Sequence, residues 1–219
     1  MTPEEFIRAL SLVQLRNTFN PYADRCPVHD VPDAPLMRTK TLQALLCAAA
    51  QVEVESIWIG RDLGYRGGRR TGLALTDDVH LQDHGARWGV SARRPTKGQA
   101  IGERTASVIW GVLSRVERPL FLWNVFPLHP HEPDNPFSNR AHNAEERRAG
   151  EEILAQLILL LRPMYLVCIG NDAAQTARRM CSSQRLVQVR HPSYGGQAEF
   201  LSQVRKHYRL RNCSADALI

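Results

Sequence analysis

The chain has 219 residues, of which 43% are hydrophobic and 23% charged, the proportions of a water-soluble globular protein with a full core rather than a disordered or fibrous chain. A formal net charge of +6 favours an anionic partner, and no apolar run approaches the length of a membrane span. The five cysteines, Cys26, Cys47, Cys168, Cys181 and Cys213, are widely spaced with no Cys-x-x-Cys pair, which argues against a zinc or iron–sulfur framework and reads as reduced thiols.

The N-terminal MTPEEFIRAL lacks the pattern of a signal peptide, so a soluble, cytoplasmic protein is expected. Thr2-Pro3-Glu4-Glu5 predicts a helix start leading into residues 6–19. Residues 20–39 carry four prolines and read as an ordered loop or arm; Cys26 and His29 within it are half a metal site without a second half, and are read as packing. Residues 40–52 have helical apolar spacing. A strand is predicted at Ser56–Ile59, and the stretch 57–72, IWIGRDLGYRGGRRTG, runs from it into a loop of glycines and arginines. Gly60, Gly64, Gly67 and Gly68 permit tight turns or close approach to a ligand, and Arg61, Arg66, Arg69 and Arg70 are cationic forks suited to phosphate. Asp62 is the only carboxylate among them. The alternative is a solvated basic loop whose aspartate neutralises its arginines.

Residues 71–94 are mixed and polar, and Asp77, Asp78, His80 and His84 are read as solvent-exposed rather than metal-binding. A helix is predicted over 103–116, then a buried strand, PLFLWNV, at 119–125. Asn124 interrupts that strand and needs a partner: either a structural hydrogen bond or a ligand. The proline-rich loop 126–142 is too long for a mere connection, which favours a binding role; His129 and His131 in it read as an exposed pair. A long helix over 143–161, a strand at 164–169, a helix at 173–181 and a strand at 186–189 follow. After the turn RHPSYGG at 190–196 come a helix over 198–211 and a tail, 212–219, expected to be disordered.

Strands alternating with helical crossovers predict an α/β fold, a three-layer α/β/α sandwich around a central, mostly parallel four-stranded sheet. One domain over 1–219 is expected, with 1–55 as an N-terminal helical and loop portion. The loops after the first, second and fourth strands then share one sheet edge, bringing Asp62, Asn124 and His191 together. No G-x-G-x-x-G fingerprint with an acid on a second strand is present, which disfavours a dinucleotide site.

Four motifs, GRDLGYRGGRRTG at 60–72, LFLWNVFPLHP at 120–130, PMYLVCIGNDAAQ at 163–175 and RHPSYGG at 190–196, resemble in their order the uracil-DNA glycosylase superfamily. The resemblance covers roughly residues 56–210 and implies a monofunctional glycosylase that releases uracil or a related deaminated base from DNA without metal or cofactor. By that resemblance Asp62 positions the attacking water and stabilises positive charge on the sugar, and His191 hydrogen-bonds the uracil O2 as the base departs. Gly60, Tyr65 and Asn124 are implied to contact the base, with the Asn124 amide reading the pyrimidine edge. Arg66, Arg69, Arg70, Ser193, Tyr194, Gly195 and Gly196 are expected at DNA, Tyr194 as a wedge or, alternatively, packed on the last helix. The implied partner is DNA, bound by a monomer acting at the nucleoid, with no membrane.

The chain departs from the family pattern in places. Arg61 and Leu63 replace commoner residues, and Gly64 stands where uracil-strict members carry a tyrosine that excludes the thymine methyl. Leu73, Ala74 and Leu75 are aliphatic where relatives stack the base on an aromatic, a role left to Tyr65. The cysteine spacing excludes the cluster-binding branch of the family. These departures keep a non-catalytic DNA-binding module on the same fold open as a rival, and a nucleoside or nucleotide hydrolase is a second, which fits the pocket but not the arginine-rich loops.

Overall fold

The computed structural model describes residues 1–180 and 185–211; Cys181, Cys213 and the predicted tail at 212–219 lie outside the described residues. In chain order the elements are α1 (Pro3–Ser11), β1 (Thr18–Phe19), α2 (Ala34–Ala49), β2 (Ser56–Asp62), α3 (Gly68–Thr71), α4 (Leu81–Ala86) and α5 (Arg104–Leu113). They continue with β3 (Leu120–Phe126), β4 (His129–Pro130), α6 (Ala144–Leu161), β5 (Tyr165–Ile169), α7 (Asn171–Met180), β6 (Arg185–Val189) and α8 (Gln197–Tyr208).

Four strands form one parallel sheet in the order β3-β2-β5-β6. Side chains alternate across a strand, so each one feeds two cores. Ile57, Ile59, Phe121, Trp123, Val125, Leu166 and Cys168 pack with α1, α2, α6 and α7. Trp58, Leu120, Leu122, Val167, Ile169 and Val189 pack instead with α5 and α8. This is the expected three-layer arrangement, with burial on both faces accounting for the nearly unbroken apolar runs of the strands. Among the described residues no helix is long and apolar enough to cross a membrane.

Local chemistry explains the helix starts. Thr2 caps α1, its Oγ1 accepting the Glu5 amide at 3.1 Å while the Thr2 N–H donates to Glu5 at 2.8 Å. Asn143 and Glu146 form the same reciprocal box on α6. Two predicted helix boundaries move most. The first helix ends at Ser11, because Thr18 and Phe19 leave it to pair antiparallel with Pro130 and His129. The second begins at Ala34, inside the proline-rich stretch, since Pro35 sits in the first turn where its missing N–H costs nothing.

Several residues expected in solvent are buried. Asp77, Asp78 and His84 are buried, as is His129 of the expected exposed pair. The reason is polar satisfaction within the fold. Asp77 accepts from the amides of Val79, His80 and Glu103 and from His80 Nδ1, and Asp78 binds Arg70 at 2.6 Å. His84 Nδ1 meets the Thr76 hydroxyl at 2.9 Å, and His129 Nε2 meets the Ser138 carbonyl at 2.9 Å. Burial pushes the pKa of each of these two histidines down to about 3, so both are neutral.

Candidate active site

A cleft of about 480 Å³ opens at the C-terminal edge of the sheet, on the side covered by α5. Its wall includes Gly60, Asp62, Leu75, Glu103, His191 and Tyr194. Strand alternation fixes what meets there. Gly60 and Asp62 share the parity of Trp58, and Asn124 that of Leu120 and Leu122, so all three turn toward the α5 side where the apolar core stops.

Gly60 and Asn124 are register partners on adjacent strands. A Cβ on Gly60 would overlap Asn124 Oδ1 and come within 2.9 Å of Leu75, so only glycine leaves room for the amide beside the strand. Asn124 is 1% exposed, and neither its Oδ1 nor its Nδ2 has a hydrogen-bond partner in the protein. An orphaned buried amide costs on the order of 1–3 kcal/mol per unmet group, and this one lies directly behind Gly60 and Leu75 of the cleft wall. Leu75, whose side chain reaches the same glycine, holds a left-handed φ of 55°, an uncommon conformation for a leucine.

Asp62 ends β2 with its side chain 7% exposed. Its Oδ2 accepts from Arg61 Nε at 2.7 Å and its Oδ1 from His142 Nδ1 at 2.5 Å. His142 went unnoticed in the sequence; only the helix-cap signal at Asn143 marks that place. Arg61 also reaches Asp172 at the start of α7, at 3.2 Å.

His191 follows β6 across the cleft. The Ser193 amide donates to its Nδ1 at 3.2 Å, which puts the ring proton on Nε2. Burial, and then the Arg61 and Arg190 guanidiniums, hold its pKa below the ordinary histidine value. The site therefore contains a neutral imidazole with one N–H donor free of the turn. The turn itself is tight. Tyr194 and Gly195 both have positive φ, and the Tyr194 side chain stands 98% exposed on the cleft wall.

Glu103 forms the wall opposite Gly64: its Oε1 lies 3.2 Å from where a Cβ on Gly64 would stand. Burial, and then the Asp77 carboxylate, raise its pKa above the usual glutamate range. The loop between β4 and α6 also reaches the cleft, where Asn139 Oδ1 accepts the Tyr65 amide at 2.9 Å and Arg140 joins the wall.

The expected DNA-facing residues divide. Arg66 is exposed, with its guanidinium over the Tyr65 ring, and Ser193 lies on the cleft wall with its hydroxyl 3.3 Å from that of Thr105. Tyr65 belongs with that exposed arginine rather than with the wall of the cleft. Arg69 and Arg70 are corrected: they are 4% and 3% exposed and point into the protein. Arg69 stacks 3.9 Å above the Phe19 ring, and Arg70 is neutralised by Asp78. The Gly196 amide is corrected as well, because it already donates to the Ser193 carbonyl at 3.1 Å.

Among the described residues no group of three or more His, Cys, Asp or Glu side chains is placed to hold a metal ion. The cleft wall holds a carboxylate with two donors behind it and a neutral imidazole, and the Asn124 amide lies buried behind Gly60.

The fold is similar to that in "The crystal structure of WT Pedobacter heparinus SMUG2", with a TM-score of 0.58 and 12% identity over 95% of this chain and 97% of that one. No curated protein matches the chain. The family model described as the Uracil DNA glycosylase superfamily matches residues 55–211, which contain every element of the parallel sheet and every residue of the cleft wall. The chain belongs to the uracil-DNA glycosylase superfamily.

Proposed function

We propose that this protein is a monofunctional DNA glycosylase that hydrolyses the N-glycosidic bond of uracil or a related deaminated base in DNA, leaving an abasic site. The observation that carries the reading is the Asn124 amide, buried directly behind Gly60 of the cleft wall with neither polar atom partnered by the protein. A base edge offering an acceptor next to an N–H, as uracil does, would satisfy both ends of that amide.

The chemistry follows from the groups around it. As the C1′–N bond breaks, its electron pair leaves with the base, and the charge gathers partly on the carbonyl oxygens. His191 Nε2–H is the donor for that charge; a neutral imidazole serves because a hydrogen bond to a developing anion strengthens in the transition state. The sugar approaches an oxocarbenium ion, and the Asp62 carboxylate stabilises it and orients the water that adds to C1′. The proton shed by that water passes to Asp62 and on to solvent, while the departed base is protonated in turn. Among the described residues no lysine lines the cleft to form a Schiff base and cleave the strand, which favours the monofunctional reading.

The target nucleotide must leave the duplex to reach this cleft, at a cost of a few kcal/mol. Tyr194, an exposed ring on the rim, is suited to fill the gap it leaves. The test is base release from labelled duplexes and single strands carrying uracil, thymine opposite guanine, hypoxanthine or xanthine, read as alkali-sensitive abasic sites. Release of at least one base by the native protein, lost in Asn124→Leu and His191→Ala, is the expected result. Binding to every strand with no release would overturn it.

A further inference from the structure

Two donors grip Asp62, and they differ in kind. Arg61 is 45% exposed and is shared with Asp172, so solvent and a second carboxylate compete for it. The His142 side chain is 9% exposed, and its Nδ1 is 2.5 Å from Asp62 Oδ1. The chain on either side of the ring is tied down. The next residue, Asn143, caps α6, and two residues earlier Arg140 binds the Glu146 carboxylate at 2.7 and 2.5 Å and the carbonyls of His131 and Asn17. Glu146 also accepts the Thr18 hydroxyl, tying β1 into the same assembly. On the strand side, the imidazole lies 6.2 Å from the ring of Phe126, the register partner of Asp62.

We infer that His142 is a positioning residue, donating Nδ1–H to Asp62 so that the carboxylate keeps one orientation and presents its remaining lone pairs to the attacking water. This rests on the glycosylase reading above. A donor aimed at a carboxylate favours its charged form and fixes its plane, and the rigid α6 cap fixes the donor. Aligning water and C1′ depends on that plane, so loss of the donor reduces the rate of the chemical step rather than DNA affinity. The charged groups around the pair are Arg61 on β2, which binds Asp62 and also Asp172 on α7, and Arg140 in the loop after β4, whose charge acts on Asp62. All of them remain in each variant below.

The test compares His142→Leu with His142→Asn, two side chains of nearly equal shape of which only the second keeps a nitrogen donor. Single-turnover base release and DNA affinity are measured on whichever base the native protein releases. His142→Leu is expected to be slower by about ten- to a hundredfold, with DNA affinity unchanged. His142→Asn is expected to restore most of the rate. Equal rates in the two variants would overturn the inference while leaving the glycosylase reading intact, whereas an inactive native protein would remove that reading itself. Should the variants not fold, nitrogen-15 spectra of histidine-labelled native protein decide the matter. A protonated Nδ1 on His142 supports the inference, and an unprotonated one overturns it.

Discussion

The two halves of the loop GRDLGYRGGRRTG each carry two arginines among glycines and meet opposite fates. In the first half, Arg61 and Arg66 are exposed and Asp62 lines the cleft. In the second, Arg69 and Arg70 are among the most buried charged groups in the protein. The difference lies in what each half meets. The first leaves the sheet at its open edge, whereas the second turns back through α3 onto α2, where Arg38 donates to the Arg70 carbonyl at 2.8 Å and holds Asp30 in its own buried pair. A run of arginines next to glycines thus meets solvent and the cleft in one half and serves architecture in the other.

The contrast is open to direct attack. Arg70→Ala leaves Asp78 buried without its cation, and is expected to lower stability by about 3–5 kcal/mol, read by urea denaturation. A loss below about 1 kcal/mol would mean that the second half is not architectural. Asp62→Asn keeps shape and removes charge; its expected cost is a hundred- to thousandfold in single-turnover base release, with the denaturation midpoint nearly unmoved. Full activity in that variant would take Asp62 out of the site.

A smaller effect comes from pH. His84 and His129 titrate near 3 in the folded protein against an ordinary 6.5. Below pH 6.5 the unfolded chain therefore binds protons that the native one refuses. Stability from these two residues is complete above that pH and is lost as pH falls toward 3, by roughly 2 kcal/mol each at pH 5. Replacing His129 with Gln should flatten the acid side of a stability-against-pH curve, and an unchanged slope would contradict its neutral burial. Smallest of all, Arg66→Ala is expected to leave the melting temperature in place and to reduce the salt slope of DNA binding by about one. The same variant would refute the division of the loop if it destabilised the fold as Arg70→Ala does.

The sheet could be read from the chain because each strand is a short apolar run bounded by turn residues, and that pattern survives any path the loops take. Asp62, Asn124 and His191 were reachable for the same reason: each stands at or just beyond a strand's C-terminal end, and a parallel sheet gathers those ends. His142 was not reachable. It sits 80 positions from Asp62 in a proline-rich loop, and their contact depends on how that loop is tied to β1 and α6.

The amino-acid sequence by itself determined the alternation of strand and helix, the sheet edge where polar groups collect and the family motifs, because these follow from local periodicity and from residue types at strand ends. Only the tertiary structure decided which arginines face solvent, which histidines are neutral, and which donors grip Asp62. Those properties depend on burial and on partners far apart in the chain, and the desolvation that turns a charged side chain from surface to core has no local signature.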